Sequence, residues 1–271
     1  MNSYRRIPAW SLSALIVMAT LGIACASDAA DTTDEWVSLF NGEDLTGWIV
    51  KITGQELGHD PWNTFRVQDG LLTVNYENYD QFDNRFGHLF FEHPFSRYEL
   101  RVEYRFLDPQ VPGGPDWAFK NSGIMFHAQS PQSMLLDQTF PISLEAQLLG
   151  GNGADERPTA NLCTPGTHVH MDGALIEQHC TTAAAPTIHT DEWVTLDLLV
   201  LGDSLIAHVM DGDTVLMYTR PVIGGADSTE LAAAGLDDGQ PLSGGYIALQ
   251  SESHPVQFRK VLIRNLRAPA R

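Results

Sequence analysis

The chain has 271 residues, 43% of them hydrophobic, with 34 acidic against 16 basic side chains and a formal net charge of −18. That length and apolar content suffice for a substantial core, and the 23 Gly and 15 Pro are scattered as turn residues rather than gathered in a linker. So acidic a surface repels nucleic acid and anionic lipid and suits a neutral ligand or a bound cation.

The first stretch carries Arg5 and Arg6, an apolar run from Trp10 to Ile23, and then small residues. This is the three-part pattern of a secretory signal, and the run is shorter than the roughly 20 residues of a membrane span. We expect a signal peptide over residues 1–26, with cleavage after Ala26 or Ala30. A second reading places cleavage before Cys25 and makes that cysteine the lipid site of a bacterial lipoprotein. Either way the protein is expected to be exported, as a periplasmic protein or an outer-membrane lipoprotein. Export leaves Cys163 and Cys180 as an even pair, and a disulfide between them would close the loop "CTPGTHVHMDGALIEQHC". By loop entropy a ring of this size contributes about 3 kcal/mol.

From residue 34 to 271 short runs of alternating or β-branched residues recur, among them "GLLTVNY", "YELRVEYRF", "SGIMFHAQ", "ISLEAQLL", "WVTLDLLVLG" and "GGYIALQSE". Clusters of Gly, Asp, Asn and Pro bound them, and "SLIAHVMDGDTVLMY" reads as a hairpin across Asp211, Gly212 and Asp213. Only "STELAAAGLDDG" suggests a short helix or covering loop. No repeat or linker divides the segment. The pattern predicts one all-β domain, a jelly-roll sandwich of two antiparallel sheets.

Polar side chains interrupt the apolar alternation at three places. In "NSGIMFHAQ" the period of two sets Met125 and His127 opposite Ile124 and Phe126. Asn121 and Ser122 begin that run, where a turn or a bound ligand would use them equally well. In "ISLEAQLL", Glu145 and Gln147 share one face while Leu144, Ala146 and Leu148 share the other. In "GGYIALQSESHP", Gln250 and Glu252 stand opposite Ile247 and Leu249, with His254 beyond. A solvated sheet face explains any one of these; three together point to a polar cleft. Trp62, Trp117, Tyr76 and Tyr79 are candidates for stacking on a sugar ring, against the competing reading that each is core. His168, His170 and His179 fit an exposed or structural role better than a metal site. Motifs of zinc proteases, phosphate loops, dinucleotide folds and serine-hydrolase elbows are absent from the sequence.

"WVSLFNGEDLTGW" (36–48), "NSGIMFH" (121–127), "ISLEAQLL" (142–149), "DEWVTLDLLVLGDSLIAHVMDGDTVLMY" (191–218) and "GGYIALQSESHPVQFRKVLIRNL" (244–266) occur in this order. Together they resemble the 3-keto-disaccharide hydrolase family, which has the concanavalin A-like lectin/glucanase fold. The chain departs from the family's pattern in two places: His127 stands where Arg is common, and the His that usually follows Leu-Gln closely is displaced to His254. The resemblance implies cleavage of a glycoside already oxidised at carbon 3 by a partner sugar 3-dehydrogenase. For that chemistry we expect Glu145 and His127 in catalysis and Asn121, Gln147, Gln250, Glu252 and His254 in substrate binding. A divalent cation would serve the same chemistry without being identified by the sequence. The alternative is a non-catalytic carbohydrate-binding module on the same fold.

Overall fold

Strict alternation builds the sandwich. In "RYELRVEYRF" the residues Tyr98, Leu100, Val102, Tyr104 and Phe106 are buried in the main core, while the intervening Arg and Glu residues face outward. The structure, a computed structural model, describes residues 35–267; the signal segment and Cys25 lie outside them. Its first strands are β1 (Val37–Ser38), β2 (Trp48–Ile52), β3 (Phe65–Gln68), β4 (Leu71–Val74), β5 (Gly87–Phe91) and β6 (Arg97–Phe106). The middle of the chain adds β7 (Asn121–Ala128), β8 (Leu144–Leu149), β9 (Asn161–Cys163), β10 (Thr167–Met171), β11 (Ala174–Ile176) and β12 (Cys180–Thr181). Then come β13 (Val194–Leu201), β14 (Ile206–Met210), β15 (Asp213–Ile223), helix α1 (Ser228–Ala234), β16 (Tyr246–Ser251) and β17 (Val256–Asn265).

One antiparallel sheet runs β12-β9-β8-β7-β16-β5-β2; the other runs β11-β10-β15-β14-β13-β6-β17-β4-β3, with β1 added on β17. This is the expected all-β jelly-roll. Between the sheets lie side chains such as Leu89, Ile124, Phe126, Leu144, Leu198 and Phe258, each fully or almost fully buried. Burial of a side chain this large contributes about 1.5–3 kcal/mol. The outer face of the larger sheet is closed differently, by charges and indoles. Arg101 pairs with Asp197 through two 2.8 Å bonds, Glu103 binds Arg259 and Lys260, and the guanidinium groups of Arg105 and Arg259 both lie over the ring of Trp193.

The predicted hairpin is β14–β15. Its loop is only Asp211-Gly212, both at positive φ, and Asp213 already pairs with Met210 as the first strand residue. Helix α1 starts at an Asp227 cap, whose side chain accepts from the Thr229 N–H, and stops at Gly235 in the left-handed conformation. The disulfide joins Cys163 to Cys180, which sit directly opposite on β9 and β12.

The segment between those cysteines corrects a reading from the sequence: it is not a loop. It leaves the smaller sheet, forms β10 and β11 at the edge of the larger one, and returns. His168 and His170 therefore lie on the larger sheet, where His170 Nδ1 bonds the Arg220 carbonyl at 3.0 Å.

Candidate functional site

The register across the smaller sheet collects its polar residues. Gly123 lies opposite Gln147 and Met125 opposite Glu145 on the β7–β8 ladder. Glu145 is then opposite Cys163, and Gln147 opposite Asn161, on β8–β9. These side chains share the sheet face turned away from the main core, as the alternation in β8 predicts. Above them opens a cleft of about 330 Å³, whose floor is Asn121, Glu145, Gln147 and Glu252. Trp117, Phe140, Pro165, His179 and the Cys163–Cys180 disulfide form its wall.

A glycine makes the floor possible. A Cβ at position 123 would run into the carboxylate of Glu145, so the absence of a side chain there lets Glu145 lie across β7 toward the middle of the sheet. Gly123→Ala is expected to displace that carboxyl, cutting turnover at least tenfold for a stability loss of about 1–3 kcal/mol. Steady-state kinetics beside a melting curve check this, and unchanged kinetics would place the working position of Glu145 elsewhere.

Glu145 is 6% and Glu252 4% exposed, so neither carboxylate is well hydrated. Burial pushes both far above the usual carboxylate range, and the charge of Glu145 raises Glu252 further. The pair therefore retains a proton at neutral pH. Glu252 Oε2 and Asn121 Oδ1 are buried without a hydrogen-bond partner, so two residues that line the cleft each carry an unsatisfied oxygen. Asn161 Nδ2 donates to Gln147 Oε1 at 3.0 Å, which leaves the amide N–H groups of Gln147 free to donate to a ligand. Oxygen donors from Glu145, Glu252 and Asn121 have the hard character that suits a divalent cation such as Mg, Ca or Mn. Cys163, His179 and Cys180 also cluster, but the two sulfurs are bonded to each other and are not thiolate ligands.

Of the residues expected from sequence, Asn121, Glu145, Gln147 and Glu252 come together. Gln250 is fully buried, opposite His88 on β5, and does not line the cleft. Its amide O and N and His88 Nε2 all lack partners. His254 is fully buried between the rings of Phe106 and Phe119, with Nε2 3.6 Å from Asp108 Oδ1. It too does not line the cleft.

The catalytic role expected of His127 meets a different placement. At the β7–β16 pairing one extra residue is inserted on β7, since Tyr246 faces Ala128 but Ala248 faces Met125. His127 takes the left-handed conformation in this bulge (φ 47°) and turns away, its Nε2 donating to the Gly202 carbonyl at 3.1 Å. Its neighbour across the bulge must be Gly245, where a Cβ would come within 2.5 Å of the His127 backbone. Of the four aromatics singled out in the sequence only Trp117 lines the cleft; Tyr76 and Tyr79 are buried in the core, with Trp62 packed on Tyr79. Sequence reasoning missed Asn161, Phe140 and Pro165, which come from turns or short strands with no periodic signal, and it gave His179 a structural role.

A model of the 3-keto-alpha-glucoside-1,2-lyase-like domain matches residues 35–264. The chain belongs to that family. Membership supports a carbohydrate-active role. Comparison with curated proteins gives no match. Among solved structures, a candidate glycosyl hydrolase from Parabacteroides distasonis is similar at 18% identity and a TM-score of 0.50, over 86% of this chain and 94% of that one. A Bacillus subtilis protein of unknown function with a galectin-like fold reaches a TM-score of 0.52 at 12% identity, over 85% and 94% of the two chains. At such identities the likeness carries the fold.

Proposed function

We propose that the protein cleaves the glycosidic bond of 3-keto-glycosides. The observation that carries this reading is the pair Glu145 and Glu252, two buried carboxyls at the floor of a cleft, both raised well above the ordinary range, with the charge of Glu145 raising Glu252 further. A ketone at carbon 3 acidifies the C2–H bond. The ionised member of the pair takes that proton, the electron pair becomes an enolate, and collapse of the enolate breaks the bond from carbon 1 to the leaving oxygen. The protonated member gives its proton to that oxygen, and water then adds to the resulting enone at carbon 1. The free amide N–H groups of Gln147 supply donors for the developing enolate oxygen. A divalent cation held by Glu145, Glu252 and Asn121 would polarise the ketone in place of this acid–base use of the pair, since carboxylate ligands give up their proton.

A partner dehydrogenase oxidising carbon 3 must supply the substrate, and the amino-terminal segment fits export of the protein to the periplasm or, through Cys25, to the outer membrane. The carboxylate pair also favours a second reading, an ordinary glycosidase, which uses two carboxyls about 5–9 Å apart and needs no ketone. Incubation with a glucoside oxidised at carbon 3, beside the same glucoside unoxidised, with and without chelator, separates the two. Release from the oxidised substrate alone is expected. Release from both would establish the ordinary glycosidase, and saturable binding without release would establish a carbohydrate-binding module.

A further inference from the structure

The cleft has two chemically different halves. Its floor carries most of the hydrogen-bonding groups, whereas the wall offers only the His179 ring and the indole N–H of Trp117. The wall is also rigid. Trp117, 55% exposed, lies parallel to Phe86 at 5.9 Å with 9° between the rings, and Phe140 packs on the same Phe86 at 5.1 Å. The disulfide fixes Cys163 beside Glu145, so sulfur rather than a hydroxyl or amide borders the catalytic carboxyl. A second sugar ring against this wall would find few partners for its hydroxyls, while a planar apolar group would find indole, phenyl, proline and disulfide surface. The buried carboxyls and the net charge of −18 oppose an anionic ligand.

We propose that the cleft selects neutral glucosides whose leaving group is an aromatic aglycone, the sugar on the polar floor and the aglycone against Trp117 and the disulfide. This selectivity rests on the keto-glycoside reading for its chemistry but not for its recognition, so unoxidised ligands test it separately. Calorimetric titration of the full mature chain with phenyl glucoside of each anomer, methyl glucoside and cellobiose is the experiment. The better phenyl glucoside is expected to bind about three- to tenfold more tightly than methyl glucoside or cellobiose. That preference should vanish in Trp117→Ala, whose melting temperature should stay within about 2 °C of the parent because the side chain is largely exposed. Cellobiose binding as tightly as phenyl glucoside, a preference that survives Trp117→Ala, or no binding of phenyl glucoside would each overturn the proposal. Aryl preference without cleavage of any 3-keto-glucoside would leave the subsite standing and remove the keto-glycoside reading; cleavage of keto-disaccharides without aryl preference would do the reverse.

Discussion

Glu145→Gln is expected to lower aglycone release from a 3-keto-glucoside by about 100- to 10,000-fold, the span of a lost general acid or base, and at the same time to make the protein more stable at pH 8. The two effects have one source. A carboxyl raised above its ordinary value by burial keeps, in the folded state, a proton that the unfolded chain releases. Stability therefore declines as pH climbs from about 4.5 through the raised folded value, because the unfolded state binds fewer protons. Gln has the same shape and never ionises, so the pH-dependent penalty of this position disappears. The gain should be about 1 kcal/mol or more at pH 8 and close to nothing at pH 4. Denaturant melts at the two pH values, beside kinetics, provide the check. Intact turnover would remove Glu145 from the chemistry, and a uniform loss of stability at both pH values would make its role structural.

The second large effect concerns acid. His88, His127, His208 and His254 are all buried, and burial pushes them down to about 3, 4, 4 and 4 respectively. Burial keeps His208 neutral against the pull of its bond to Ala160, which favours the charged ring: Nδ1 donates to the Ala160 carbonyl at 2.8 Å, and Nε2 accepts from the Tyr218 hydroxyl at 2.9 Å. Each of these histidines has a folded pKa below its unfolded value near 6.5, so the unfolded chain takes up protons that the folded one refuses. Their contribution is complete above pH 6.5 and is lost as pH falls toward the folded values. Together they should remove on the order of 5–10 kcal/mol between pH 6.5 and 4, a loss offset in part by the stability that Glu145 and Glu252 regain as they take up protons over the same range. His88→Phe should flatten part of that slope, since His88 Nε2 has no partner to lose. A His88→Phe variant whose urea midpoint falls with pH as steeply as the parent's between pH 7 and pH 4.5 would contradict this account.

The sandwich was legible because its strands obey a single rule. β6 and β8 alternate so regularly that the faces of Glu145 and Gln147 follow from the sequence alone. The same rule explains the misplaced histidine: one inserted residue in β7 changes the phase after Phe126, and His127 leaves the face that counting by two assigns to it. Gln250 kept its face but not its exposure, because packing above it depends on residues far along the chain. Trp117 could not be told from Trp62 by pattern, since neither lies on a strand and only tertiary packing separates wall from core. The raised pKa values of Glu145 and Glu252 depend on burial and on the electrostatic coupling of β8 with the residue after β16, across β7, and no local spacing records either.

The excursion of the chain between Cys163 and Cys180 has a mechanical consequence. The residues from Cys163 to Cys180 border the cleft at both ends and in between form the two outermost strands, β11 and β10, of the opposite sheet. A ligand that immobilises the disulfide thereby shortens the free span available to Thr167–Met171. Occupancy of the cleft should then slow backbone hydrogen exchange at β10, on the far side of the sandwich, as well as at the floor itself.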